Sequence, residues 1–264
     1  MNFSQVQREA FANSGFVILP DFASHELVDE MLEHAIDITR RQEAGGDIFD
    51  ALIQPESALA DSDLPLARKT SKIFRIHKHE PVFEQFASDP RTTQIIADLI
   101  GEDLDCFLSQ FIFKQPGALG QPWHQDAFYF PFDGPDQGSY QVGIWLAITE
   151  ARRDNGPLWV LPGSHNEEVH AAVKDTREHA NHGYFEIIDH DMEGAIPVFL
   201  QPGDLLIFHS HLMHMSTDNE SDDLRAAMVY HYAHAATIDH SEAVYGHKPA
   251  NQEWVPVLRA GQPV

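Results

Sequence analysis

The second half of this chain is a series of short β-rich segments, and this feature most restricts the fold. Between about residues 104 and 236, apolar and β-branched runs alternate with turns rich in Gly, Pro, Asn and Asp. The runs are CFLSQFIFK, YQVGIWLAI, PLWVLPG, IPVFL, DLLIFHSH and RAAMVYHYA. Many short strands separated by turn residues indicate a β-sandwich or barrel. We therefore predict a β core here.

The first hundred residues show helical periodicity. Residues 4–13 predict a short helix with Ser4 as its N-cap, and the apolar stretch FVIL that follows predicts a buried strand. A longer helix is predicted from Ser24 to about Arg41, and another helical pattern lies near residues 80–100. The front of the chain is therefore predicted to form helices that pack on the β core.

Two stretches show neither pattern clearly. Residues 43–68 are mixed and read as a loop or partial lid, and residues 166–182 read as a helix or loop inserted between strands. Both are candidate lids, because such loops carry specificity. No linker separates the halves, so we predict one domain over 1–264, with N-terminal helices (about 4–100) on a core (about 104–236).

Charge and cysteine content exclude several classes of partner. The formal net charge is −24, which disfavours nucleic acid and anionic membranes. No apolar run is long enough to span a bilayer. The opening residues lack the pattern of a signal peptide, and the single cysteine, Cys106, cannot form a disulfide within the chain. We expect a cytoplasmic protein that acts on a small molecule.

A candidate metal site begins at His124 and Asp126. In a strand, residues two apart point to the same face, so these side chains would project together. A histidine and a carboxylate supply two thirds of the facial triad that holds non-haem Fe(II). The pattern alone is weak, because the chain has 17 histidines. The third ligand must come from another strand, and His209, His211 and His214 are all candidates.

Arg225 distinguishes this pattern from a surface strand with solvated histidines. It opens the apolar strand RAAMVYHYA, where an arginine is unusual for a core residue. Its planar guanidinium is suited to holding a carboxylate through two parallel hydrogen bonds. His231 has the same strand parity as Arg225, and we expect it to face the same way.

Four ordered blocks, HQDAFYFPF, NGPLWVLPGSH, GDLLIFHSHLMHMSTDN and LRAAMVYHY, resemble the phytanoyl-CoA dioxygenase family of Fe(II)/2-oxoglutarate oxygenases. The opening GFVILPDFASHELVDEM is also similar to that family. IFKQPG and GIWLAI are closest to its domain-containing protein 1 branch. The resemblance covers about residues 8–236 and implies a mainly β fold with flanking helices, built on a double-stranded β-helix (jelly-roll, cupin-like) core.

The resemblance also implies roles for individual residues. The iron ligands would be His124, Asp126 and His214, because the family's distal histidine precedes a Ser and an Asn and lies eleven residues before the arginine. The family usually has Gly where this chain has Met215. The residues expected to bind 2-oxoglutarate, with Lys72 and Trp145 the weaker assignments, are Arg225, Ser216, Trp145, Gln110 and Lys72.

The implied reaction uses Fe(II), 2-oxoglutarate and O2 to hydroxylate an unactivated C–H bond, releasing succinate and CO2. The substrate does not follow from the fold. We favour a small cytosolic metabolite over a CoA thioester, because the only basic cluster is RKTSK (68–72) with Arg75 and Lys78. The alternatives are desaturation or cyclisation, a zinc hydrolase, and a non-catalytic binding protein on the same fold.

Overall fold

A computed structural model describes residues 3–134 and 141–264. The helices are α1 (Gln5–Ser14), α2 (His25–Glu43), α3 (Leu66–Lys69), α4 (Pro81–Ala87), α5 (Pro90–Ile100) and α6 (Ser241–Tyr245). The strands are β1 (Phe16–Leu19), β2 (Leu52–Pro55), β3 (Thr70–Phe74), β4 (Leu104–Lys114), β5 (Phe132–Asp133), β6 (Gln141–Ala147), β7 (Leu158–Val160), β8 (Val173–Lys174), β9 (Phe185–Glu186), β10 (Ile196–Val198), β11 (Leu205–His209), β12 (His214–Ser216), β13 (Arg225–His234), β14 (Ile238–Asp239), β15 (Val255–Arg259) and β16 (Gln262–Pro263).

The first helix begins and ends at residues that the sequence marks. The side chain of Ser4 accepts a hydrogen bond from the backbone of Gln7, and the side chain of Gln7 accepts one from the backbone of Ser4. This reciprocal pair is a capping box. Gly15 ends the helix with φ +81°, which glycine adopts without strain. Ser24 caps α2 by accepting a hydrogen bond from the backbone of Leu27, without a reciprocal side-chain bond.

The major sheet runs in the order β1-β11-β6-β13-β4-β15-β16, and β3 with β2 also joins it beside β4. Its pairings are antiparallel, and β13 lies between β4 and β6 along most of its length. A smaller sheet has the order β10-β7-β12. The two sheets pack against each other through a shared apolar cluster that includes Trp145, Val160 and Phe208. The fold is therefore the predicted jelly roll.

The opposite face of the major sheet is covered by helices. Phe83 of α4 packs edge-on against Phe111 of β4, and Phe86 stacks on Tyr230 of β13. Met31 and Ile38 of α2 are fully buried in the same cluster. The periodicity of α2 predicted this apolar face, and burying it against the sheet joins the front of the chain to the β core.

The front of the chain also contributes three strands to the major sheet, of which only the first was predicted. The predicted strand β1 pairs with β11, and β2 and β3 extend the sheet beside β4. The pattern near residues 80–100 forms two helices separated at Asp89, which caps α5 ahead of Pro90. Residues 166–182 contain no helix, since only β8 and a short 3₁₀ turn form there. Tyr140, the start of a predicted strand, lies outside the described residues.

Within the described residues, no helix has both the length and the apolar character needed to cross a membrane. Cys106 is fully buried in β4, and burial raises the pKa of its thiol.

Candidate functional site

His124, Asp126 and His214 converge at one end of the space between the two sheets. Nε2 of His124 lies 3.6 Å from Oδ1 of Asp126, and Nε2 of His214 lies 3.7 Å from the same oxygen. All three side chains are buried. One ion at about 2 Å from each donor can bridge such separations. The three residues that the sequence singled out are therefore brought together.

The predicted strand at His124 is only a single bridge. His124 exchanges two backbone hydrogen bonds with His214, and a 3₁₀ turn begins at Asp126. The backbone of Gln125 is nevertheless extended. The two side chains therefore converge across one extended residue, although the strand premise was wrong.

Both histidines present Nε2 to the site. Nδ1 of His124 donates to the carbonyl of Pro122 at 2.7 Å, and Nδ1 of His214 donates to the carbonyl of Leu212 at 2.9 Å. A proton held on Nδ1 leaves the lone pair on Nε2 free for a metal. Gln121 already directs its amide nitrogen at Nε2 of His124, 3.0 Å away. This amide must turn aside when a metal binds.

The protonation states suit metal binding. Burial, followed by repulsion from His214, lowers the pKa of His124 to about 3, so its imidazole is neutral at pH 7. Burial alone would raise the pKa of Asp126, but His214 and His231 outweigh it and hold that pKa well below its usual value. The donor set is two imidazoles and one carboxylate, which is a set that Fe(II) accepts.

His231 orients the carboxylate. Its Nε2 donates to Oδ2 of Asp126 at 2.8 Å, which leaves Oδ1 facing the two histidines. The ring of His231 is held by Phe107 and Phe130, whose centroids lie 5.9 and 5.4 Å away. A ligand carboxylate is commonly oriented by such a partner. Parity with Arg225 predicted that His231 faces this side of the sheet.

The ligand atoms open into a cavity of about 630 Å³ between the sheets. Such a volume is in the range of small-molecule sites. Its wall includes every residue that the sequence assigned to iron or 2-oxoglutarate: His124, Asp126, His214, Arg225, Ser216, Trp145, Gln110 and Lys72.

Arg225 lines this cavity, and one of its N–H donors is available to a ligand. Its Nε and Nη2 donate to the carbonyl of Gly156, while Nη1 is buried and has no hydrogen-bond partner among the described residues. The guanidinium lies 5.4 Å from the centre of the Trp145 ring. Burial lowers the pKa of Arg225 to about 10, so it stays protonated at pH 7. A buried cation with an unpaired donor is suited to an anionic ligand.

Lys114 is a second buried basic residue in this cavity, and the sequence did not indicate it. It lies opposite Arg225 in the β4–β13 register. Its Nζ donates to Oγ of Ser216 at 3.0 Å and to the carbonyl of Leu119 at 3.2 Å. Burial, then repulsion from Arg225, holds the pKa of Lys114 well below its usual value. Its parity with Gln110 along β4 was a signal that could have identified it.

The Lys114 contact affects how Ser216 can act. The Ser216 oxygen accepts from Lys114 and also from the backbone of Gln121 at 3.1 Å. With both acceptor positions used, its own O–H is available to donate into the cavity. A Cβ at Gly156 would lie 2.4 Å from the Lys114 side chain, so only glycine leaves room for this arrangement.

The remaining predicted residues are also in the cavity wall. Gln110 lines the cavity. Phe113 also borders it, but the Phe113 ring packs against Phe111 in the core under the helices. Lys72 approaches Gln121 at 3.4 Å and the ring of Tyr184 at 5.1 Å.

The aromatic run after Asp126 contributes only in part. Tyr129 and Phe130 line the cavity. Phe128 instead packs on Phe185, and Phe132 on Phe107.

The other two candidate histidines lie elsewhere. His209 accepts a hydrogen bond from the backbone of His211 at 3.0 Å, and the ring of His211 bonds the carbonyl of Glu167 at 3.1 Å. Burial, then repulsion from His211, lowers the pKa of His209 to about 3. Neither belongs to the group around Asp126.

Both candidate lids reach the cavity and bond to each other. Asn181 donates to Glu56 at 2.9 Å and to Ser71 at 3.0 Å, and it accepts from the backbone of Ser57 at 2.8 Å. Gln54 donates to the carbonyl of His182 at 3.0 Å. Residues of both stretches line the cavity, together with part of 247–251, which the sequence did not indicate.

Comparisons with known proteins show similarity to one family. A family model described as Phytanoyl-CoA dioxygenase (PhyH) matches residues 11–227. Phytanoyl-CoA dioxygenase 1 of Oryza sativa subsp. japonica is 26% identical over 250 residues, covering 85% of this chain and 87% of that protein. Phytanoyl-CoA dioxygenase domain-containing protein 1 of Danio rerio is 28% identical over 177 residues, covering 64% of this chain and 58% of that protein.

Solved structures show the same fold. The apo form of the non-heme monooxygenase ThoJ has a TM-score of 0.67 and 24% identity, covering 88% of this chain and 78% of its own. The apoform of EctD from S. alaskensis has a TM-score of 0.66 and 21% identity, covering 88% and 77%. The epimerase SnoN in complex with Fe3+, alpha ketoglutarate and nogalamycin RO has a TM-score of 0.67 and 20% identity, covering 97% and 93%.

Proposed function

The chain belongs to the phytanoyl-CoA dioxygenase family, and we propose that it hydroxylates an unactivated C–H bond of a small cytosolic metabolite. It is a 2-oxoglutarate-dependent non-haem iron dioxygenase, and its cofactors are Fe(II), 2-oxoglutarate and O2. Bound iron and 2-oxoglutarate together supply oxidation by O2, with conversion of the oxo acid to succinate and CO2. The substrate class, the release of succinate and CO2, and the cytosolic location are parts of the proposal.

One observation carries the proposal. A single cavity holds a His124–Asp126–His214 cluster and, separately, the buried cation Arg225 with the basic side chain of Lys114 beside it. A dicarboxylate 2-oxo acid has one end that chelates a metal and another that needs a cation. The cavity offers partners for both ends. A zinc hydrolase would use the three ligands but would not need Arg225.

The chain's own residues would act mainly by binding and orientation. Arg225 would direct its spare Nη1 at the far carboxylate, and the Ser216 hydroxyl, oriented by Lys114, would donate a second hydrogen bond. His231 keeps one oxygen of Asp126 engaged. Trp145 covers the guanidinium and excludes water from it.

The surroundings of the basic cluster favour a small substrate over a CoA thioester. Arg75 and Lys78 are both paired with Glu253, at 3.6 and 2.5 Å, and Lys69 bonds the carbonyl of Ser62 at 3.0 Å. Lys72 points into the cavity. Few of these cations are therefore available at the surface for the several phosphates of CoA. The single cysteine, buried and unpaired, is compatible with a reducing cytoplasm.

Anaerobic absorption spectroscopy tests the cofactor pair. Fe(II) and 2-oxoglutarate added to the purified protein are expected to give the visible charge-transfer band of the chelate. His214→Ala should abolish the band, because the third ligand is lost. His211→Ala is the matched control, three residues away on the same segment, and should keep it.

The possible outcomes separate the candidate functions. A band lost only in His214→Ala supports the dioxygenase site. A band lost only in His211→Ala would move the distal ligand to His211. Absence of any band, with zinc bound and hydrolytic turnover, would overturn the proposal in favour of a zinc hydrolase. Absence of both metal and turnover would favour a non-catalytic binding protein.

Succinate release tests the substrate class. Succinate formation above the uncoupled background is expected with members of a panel of small polar and apolar metabolites. Matched acyl-CoA thioesters should give no stimulation. Stimulation by the thioesters alone would overturn the small-metabolite proposal without affecting the cofactor assignment. Mass analysis of the product distinguishes hydroxylation, a gain of one oxygen, from desaturation or cyclisation, a loss of two hydrogens.

A further inference from the structure

A second group of two histidines and one carboxylate lies outside the cavity, at the base of the long loop between β7 and β10. Nε2 of His170 and Nε2 of His190 each lie 3.0 Å from the same oxygen, Oε2 of Glu167. The two imidazole rings are edge to face, 5.0 Å apart. One donor atom from each residue lies within 4.8 Å of the others.

These separations match a metal site. Two donors about 2 Å from an ion and roughly at right angles are close to 3 Å apart, which is the separation of each histidine from Glu167. Imidazole with one carboxylate suits zinc and its neighbours among the divalent transition metals, whereas calcium and magnesium prefer oxygen donors. The side chains are 20–41% exposed, so an ion can enter and water can complete its coordination.

The three donors are held by fixed neighbours. The backbone of His170 donates to the side chain of Gln125 at 2.8 Å, and Gln125 is fully buried between two iron ligands. The backbone of Glu167 donates to the carbonyl of Ser164 at 3.1 Å. Ile187, three residues before His190, is buried in an apolar cluster. The donors are therefore largely in position before an ion arrives, which reduces the entropy lost on binding.

The cluster also joins two distant points of the chain. Glu167 and His170 stand where the loop begins, and His190 stands where it returns. Between them, His182, Gly183 and Tyr184 line the catalytic cavity. An ion bound here would close the loop at its base and so support that wall of the cavity.

We propose that Glu167, His170 and His190 form a second metal site that binds one Zn²⁺-type divalent transition-metal ion and closes the base of the 167–190 loop. The site is distinct from the catalytic centre, since it shares no ligand with it. The role of this second site is structural. All three donors belong to the 167–190 loop, and the site lies outside the cavity where the substrate would bind.

Counting bound zinc tests this proposal. Tag-free protein is dialysed against micromolar Zn²⁺ and analysed by elemental mass spectrometry, with two ions per chain expected. His170→Ala/His190→Ala should bind one ion fewer. His240→Ala is the matched control, because His240 also pairs with a carboxylate, Asp133, at 2.8 Å, and no third ligand joins them among residues 3–134 and 141–264. This control should still bind two.

A variant at the catalytic centre separates the two sites. His124→Ala/His214→Ala should retain one ion, and adding His170→Ala/His190→Ala should remove it. One ion in the wild type that disappears with the catalytic ligands would overturn the proposal. So would unchanged stoichiometry in His170→Ala/His190→Ala. If that variant fails to fold, Glu167→Gln keeps the side-chain volume, and its zinc affinity should fall about tenfold or more.

Limited proteolysis gives a second readout. Lys174 and Arg177 lie within the loop, and both are exposed. Zn²⁺ should slow tryptic cleavage after these residues in the wild type and in His240→Ala, but not in His170→Ala/His190→Ala. Equal protection in all three proteins would show that zinc acts elsewhere, which would overturn the structural role.

Discussion

The two faces of the major sheet carry different chemistry, although the same strands form both. On β13, Arg225, Val229 and His231 face the cavity, while Met228 and Tyr230 face the helices. The helix-facing side chains pack against apolar neighbours, and the Tyr230 hydroxyl donates to the carbonyl of Phe83 at 2.9 Å. The cavity face instead keeps Nη1 of Arg225 without a partner among the described residues. One face stabilises the fold, and the other is prepared for ligands.

This difference predicts that substitutions on the two faces affect different measurements. The largest effect is expected at the iron ligands. Asp126→Ala should reduce 2-oxoglutarate turnover by at least roughly a thousandfold, about 4 kcal/mol, because two imidazoles without the carboxylate hold Fe(II) poorly. Succinate release and bound iron are the measurements. Asp133→Ala, an exposed carboxylate paired with His240, should change neither. Turnover retained in Asp126→Ala would contradict its assignment as a ligand.

The next largest effect is expected on the helix-facing side. Met228 is fully buried, so Met228→Ala should lower the free energy of unfolding by about 2–5 kcal/mol. The KM for 2-oxoglutarate should stay unchanged, because the side chain points away from the cavity. Denaturant unfolding and steady-state kinetics measure the two quantities. Val6→Ala, at a position 74% exposed, should alter stability by less than about 0.5 kcal/mol. A raised KM with little loss of stability would show that the faces are not separate.

Substitutions of Arg225, on the cavity face, should change the KM for 2-oxoglutarate, unlike Met228→Ala. Arg225→Ala should raise the KM for 2-oxoglutarate about 10- to 150-fold, the loss of a charge-assisted hydrogen bond of about 1.5–3 kcal/mol. Arg225→Lys should fall between wild type and Arg225→Ala, because an ammonium keeps the charge but not the planar fork. Iron binding should persist in both. The control is Arg152→Ala, whose exposed guanidinium pairs with Asp223. An unchanged KM for 2-oxoglutarate in Arg225→Ala would contradict the assignment of Arg225 as the partner of the 2-oxoglutarate carboxylate.

The smallest effect is expected at His231, which acts through Asp126. His231→Ala should weaken Fe(II) binding about 10- to 100-fold, since Asp126 loses the hydrogen bond that orients it. Saturating iron should restore most of the turnover. Anaerobic iron titration measures the affinity. His234→Ala, at the partly exposed end of the same strand, should match the wild type. Equal losses in both variants would mean that the effect comes from the strand rather than from Asp126.

Some predictions from the sequence depended only on local rules. The capping serines, the apolar stripe of α2 and the turn-separated strands depend on neighbouring residues, and these features form where predicted. The pairing of front-half strands with the major sheet was not foreseen, because register depends on distant partners. The strand expected at His124 was wrong for the same reason, since His214 alone fixes that bridge.

Residue type and order by themselves indicated a β-sandwich or barrel, the pairing of His124 with Asp126, and the importance of Arg225, because motif spacing and strand parity are properties of the chain itself. The resemblance to a known family implied the jelly roll and the choice of His214. Only the tertiary structure brought Lys114 opposite Arg225, oriented Asp126 through His231 and joined the two lids at Asn181. It also placed Nε2 of His170 and Nε2 of His190 beside the same carboxylate oxygen of Glu167. These are contacts between residues far apart along the chain, and packing between the sheets and loops determines which of them meet.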